Sequence, residues 1–172
     1  MACHYAEVVA VVQGSRLRGS GPSLERVDVT FMRLDDKRYE IAITREHGPD
    51  IPRAQAPGYD DWMPHDLAHY LVEEFFGIRL GIFGQTAAGG GSFSPDPADR
   101  SGRTARTVKR LDAAAHDDLA RSEQLVGVCV AAWRRRAHGE PLPAWIGDAD
   151  ATQDGVAECV ERLDAVARQW HA

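Results

Sequence analysis

Apolar residues alternate with polar ones in the first quarter of the chain and recur at helical spacing through most of the remainder. Tyr5 to Val12 is rich in valine, apolar in both alternating sets, and predicts a strand covered on both faces. Gln13 to Glu25 holds glycines, serines and a proline and predicts a loop. Val27, Val29 and Phe31 then alternate with Asp28, Thr30 and Met32. After the turn-forming Asp35-Asp36-Lys37, Tyr39, Ile41 and Ile43 alternate with Glu40, Ala42 and Thr44. This is the pattern of a β-hairpin. His47 to Asp60, with Pro49, Pro52 and Pro57, is expected to be a connection.

The period changes at Asp61. From there to Gly77 the chain reads as one amphipathic helix, with Asp61 as N-cap, Pro64 in the first turn and Gly77 as a left-handed terminator. Leu67, Ala68, Leu71, Val72 and Phe75 form its apolar face, with His65 and His69 at the border and Asp66 and Glu73 on the polar side. Ile78 to Phe83 alternates weakly between glycines and is read as a loop rather than a short strand. The loop is expected to continue through the glycine-rich Thr86 to Ser92 and on to Gly102, as a connector or a mobile flank beside the histidine helix. Thr104 to His138 predicts two helices, broken near His116-Asp117-Asp118. Leu119, Val126, Val130 and Trp133 mark the buried stripe of the second, and Gly139 ends it. Glu140 to Asp150 is a connection carrying Trp145 and Ile146. A last helix is expected from about Asp154 to Trp170, through Val156, Cys159, Val160, Leu163, Val166, Ala167 and Trp170. Strands first and helices afterwards predict an α+β fold: a small, mainly antiparallel N-terminal sheet of about three strands under about four helices.

Length and composition add bounds. The 172 residues, 44% of them hydrophobic, suffice for one domain spanning residues 1–172 with its own core. A formal net charge of −6 argues against a general nucleic-acid binder. Arg100, Arg103, Arg106, Lys109 and Arg110 form one local basic stripe, read as a solvated face. The odd, scattered Cys3, Cys129 and Cys159 outline neither a disulfide framework nor a zinc knuckle and are expected to be reduced. There is no leader pattern at Met1 and no run of membrane-spanning length, so a cytoplasmic protein is expected, without a membrane partner.

Chemistry concentrates on His65 and His69. Side chains four apart on a helix are neighbours, so both imidazoles can reach one metal ion. The run His65-Asp66-Leu67-Ala68-His69 resembles the His-Glu-x-x-His helix of the zincin metallohydrolases. The resemblance implies zinc on His65 and His69 and a metal-bound water that attacks an ester, amide or peptide bond of a small-molecule or peptide substrate. Asp66 stands where that family has its glutamate base, one methylene shorter. Glu73 lies eight residues from His65, about 12 Å along a helix, too far to share its ion. It is four residues after His69 and suits an orienting hydrogen bond to that ring, or a proton-accepting role. A third ligand must come from elsewhere; His116 and His47 are the candidates. A His-Asp pair also occurs in helical phosphohydrolases, but strands precede it here. The stretch from Gly58 to Gly91 is also similar to small proteins of high-GC actinobacteria, which implies no activity. The alternative to a metalloprotein is a metal-free interaction or regulatory protein whose helical surface binds a partner.

Overall fold

The computed structural model describes residues 9–12, 27–35, 37–45, 50–56, 60–87, 102–147 and 153–172, with only the backbone of 9–12 and 102–114. Four antiparallel strands run in sequence order: β1 (Val9–Val12), β2 (Val27–Arg33), β3 (Tyr39–Arg45) and β4 (Ile51–Gln55). Four helices follow among the described residues: α1 (His65–Phe76), α2 (Ile82–Ala87), α3 (Gly102–His138) and α4 (Val156–His171). The fold class is α+β, as the order of periodicities predicts.

The β2–β3 hairpin follows its alternation closely. Val29 pairs with Ile43 and Phe31 with Ile41, and all four are buried on one face. Its turn is fixed by Asp35, whose carboxylate accepts the Lys37 N–H at 2.9 Å and the Arg38 guanidinium; both interactions lower its pKa. Helices cover that face through aromatic contacts. Phe31 meets Tyr70 of α1 and Phe83 of α2 edge-on at 6.4 and 6.3 Å, and Tyr39 meets Trp170 of α4 at 6.3 Å. Removing a ring as buried as Phe31 would cost about 3–5 kcal/mol.

Four expectations need correction. First, the Pro-rich segment is not only a connection: Ile51–Gln55 adds a strand to β3, with an irregularity between Ile41 and Ile43. As an edge strand it tolerates Pro52, and its exposed Pro52, Arg53, Ala54 and Gln55 leave no apolar alternation to read. Second, α1 begins at His65, with Pro64 rather than Asp61 at the N-cap position. Asp60 holds the lead-in instead, accepting the Trp62 and Met63 N–H groups at 3.0 and 3.4 Å and pairing with Arg134. The predicted terminator is present: Gly77 has φ 64° and ψ 36°. Third, Ile82–Ala87 is a short helix rather than loop. Fourth, α3 runs unbroken past His116-Asp117-Asp118. Asp118 does not cap a new helix; its carboxylate accepts the Leu80 N–H at 2.8 Å, tying the α1–α2 linker to α3. An aspartate pair can start a helix, but it can equally sit on the polar side of one.

The apolar stripes predicted for α3 and α4 pack against each other, with Leu119, Val130 and Val166 only half-buried. Val126, Trp133, Val156, Cys159, Val160, Leu163, Ala167 and Trp170 are buried. Cys129 and Cys159 are free thiols within this contact. Their mutual hydrogen bond and burial hold the Cys129 thiol far above its ordinary pKa. The expectations for Tyr5 to Val8, the Gln13–Glu25 loop, His47, Thr86–Gly102 beyond Ala87, the basic stripe's side chains and Cys3 lie outside the described residues or side chains. Among the described residues no helix is long and apolar enough to cross a membrane.

Candidate metal centre

The segment that launches α1 is clamped from two sides. Trp62 stacks on His138 at the end of α3, with ring centroids 3.6 Å apart, and its carbonyl contacts His171 Nε2 at 2.7 Å near the C-terminus of α4. The apolar residues Leu67, Ala68, Leu71 and Val72 then turn α1 into the core. That rotation leaves His65 exposed at the rim and buries His69 (1% exposed) one turn later.

The two imidazoles stand nearly perpendicular, at 85°, with their Nε2 atoms 3.2 Å apart. Two nitrogens on one tetrahedral zinc, each about 2.05 Å from it, lie about 3.3 Å apart. The pair therefore has the spacing of two ligands of one ion. Glu123 of α3 comes third, with a carboxylate oxygen 3.8 Å from His69 Nε2. Donor atoms of His65, His69 and Glu123 all fall within 4.8 Å of one another. Glu123 is 61% exposed, so its side chain can move towards the imidazoles without disturbing the core.

The far side of His69 is held by buried polar groups. Its Nδ1 lies 3.2 Å from Ser122 Oγ, and Ser122 donates to Glu73 Oε1 at 2.7 Å. Because the serine proton goes to the carboxylate, its lone pair accepts from Nδ1–H. This fixes the tautomer that leaves Nε2 bare towards His65 and Glu123. Glu73, 3% exposed and 3.8 Å from Nδ1, also accepts the Ile82 and Phe83 N–H groups at 2.8 and 3.0 Å, so it anchors the start of α2. Gly81 allows that approach: a Cβ there would lie 2.3–2.7 Å from the Glu73 carboxyl atoms.

His65 has a lowered pKa, chiefly because burial disfavours the imidazolium and secondly because His69 is close; Asp66, Glu123 and Asp60 oppose the shift. Neutral imidazole is the form that binds metals.

The remaining sequence candidates fall elsewhere. Asp66 accepts the Tyr39 hydroxyl at 2.7 Å, and this contact, after burial, raises the tyrosine's pKa. His116 is exposed on α3, seven residues before Glu123, or about 10 Å along the axis. It is not part of the three-residue group. Sequence reasoning missed Glu123 and Ser122. One signal was available: Ser122 falls on the Leu119–Val126–Trp133 stripe, where a buried hydroxyl requires a partner. Nothing local marks Glu123, which is one of many helix-surface carboxylates.

Compared with known proteins, the chain matches no family model, no curated protein and no solved structure.

Proposed function

We propose that this protein binds one divalent cation, zinc, through His65 Nε2, His69 Nε2 and a Glu123 carboxylate oxygen, and is a metal-dependent hydrolase. The observation that carries the reading is the convergence of these donor atoms within 4.8 Å, from two helices far apart in sequence. Three protein donors with a fourth position left to solvent is the composition of catalytic rather than structural zinc sites. A cation held there supplies Lewis acidity and lowers the pKa of coordinated water. In this reading the chain does the positioning. Ser122 and Glu73 fix the His69 tautomer, and the exposed Glu123 admits solvent. Asp66 accepts from Tyr39 and Glu73 from three donors, so in this reading both carboxylates act in positioning.

One observation favours the metal-free alternative. At 3.2 Å, His65 Nε2–H can donate to the bare His69 Nε2, which satisfies both rings without an ion. Elemental analysis of protein purified without a histidine tag separates the readings. One zinc per chain is expected, falling to background in His65→Ala, His69→Ala and Glu123→Ala. Two histidines and a carboxylate also hold ferrous iron in some proteins, so iron is measured alongside. Substoichiometric metal that does not respond to the three substitutions would sink the proposal. For the hydrolase step, chelation should abolish turnover of an ester or amide panel and zinc should restore it.

A further inference from the structure

A cavity of about 180 Å³ opens beside the donor group, with His65 in its wall. Its floor is one face of α3. Glu123, Gly127, Val130 and Arg134 follow one another at four-, three- and four-residue steps, the spacing of a single helical stripe. The cavity runs along that stripe from Gly127 to Arg134, and Pro141 and Pro143 form part of its wall. Trp145 lies over Gly127 so closely that a Cβ there would come within 2.6 Å of Cη2. That indole is 64% exposed, the one large apolar side chain left so open among the described residues.

The lining selects a chemistry. Val126, Gly127, Val130, Ala131 and the prolines offer no charge. At the far end Arg134 pairs with Asp60 and lies 3.9 Å from Glu140, so it presents no unpaired cation to an anionic ligand. Its Nε is buried without a hydrogen-bond partner and can donate to one neutral acceptor. Volume sets the size, since an apolar cavity of about 150 Å³ accepts a benzene molecule. Resting on the metal reading above, we infer that this cavity binds the apolar, phenyl-sized or branched aliphatic group of the substrate, next to the carbonyl presented to the metal. The substrates are then uncharged esters or amides of small apolar acids, rather than long peptides or nucleotides.

The test uses full-length zinc-loaded protein and three hydroxamic acids that share one chelating head: acetohydroxamic, 3-methylbutanohydroxamic and benzohydroxamic acid. Titration calorimetry should show the two larger acids binding at least about tenfold more tightly than the acetyl compound, the scale of discrimination one apolar pocket gives. Val130→Phe, which fills the cavity, should remove that preference while zinc stoichiometry stays at one. If that variant does not fold, Ala131→Met gives the same reading with a more adaptable side chain. A flat affinity series, or no binding of any member to zinc-loaded protein, overturns the cavity assignment and leaves the metal site standing. Failure of the wild type to take up metal overturns both.

Discussion

The two sides of the histidine pair are built on opposite principles. On the inner side, His69, Ser122 and Glu73 are 1%, 0% and 3% exposed and form a continuous hydrogen-bonded chain that also carries the start of α2. On the outer side, His65 and Glu123 are exposed and can adjust. Buried polar groups tolerate almost no loss of a partner, because each orphaned donor costs about 1–3 kcal/mol. Exposed ones are replaced by water at little cost. Stability is therefore concentrated on one side of the site, and the proposed metal capture falls on the other. The contrast teaches that Glu73, which looks catalytic in the sequence, is placed where the fold depends on it most.

Glu73→Ala should show the largest effect. It removes the acceptor of the Ile82 and Phe83 N–H groups and of the Ser122 hydroxyl, for about 3–5 kcal/mol. Urea unfolding measures this, and a loss under 1 kcal/mol would show that α2 does not depend on the carboxylate. Ser122→Ala comes next, costing about 1–3 kcal/mol and weakening zinc binding about 10–100-fold through the freed imidazole. Unchanged zinc affinity in a competition titration would separate the inner chain from the site. Glu123→Ala inverts the balance: metal-free stability should stay within about 0.5 kcal/mol, as for exposed positions, while zinc binding is lost. If this variant unfolds more easily than Ser122→Ala, the division between the two sides is wrong. Asp66→Asn should matter least. It weakens one half-buried bond to Tyr39, at about 1 kcal/mol, and leaves zinc uptake at the wild-type level. A loss of metal in this variant would return Asp66 to the site.

Much of the scaffold was legible because it depends on near neighbours in sequence. The alternation of Val29, Phe31, Ile41 and Ile43 sets the hairpin faces, and the spacing of Leu67, Leu71 and Val72 sets the rotation of α1. The segments misread were those whose state is decided by what they touch. β4 exists because β3 offers it an edge, and α2 because Glu73 receives its first N–H groups. The unbroken α3 uses Asp118 to hold Leu80, a role without a local signature.

The site divides in the same way. The sequence by itself determined that His65 and His69 share one side of a helix, because a separation of four residues fixes that geometry wherever the helix lies. It also placed a serine on the apolar stripe of α3. Only the tertiary structure decided that Ser122 meets Glu73 and that Glu123, rather than His116, stands beside the imidazoles. Those pairings depend on how α1 and α3 pack and on their register. That register is set jointly by Trp62 on His138, Asp60 on Arg134 and Leu80 on Asp118, and no single segment of the chain contains it.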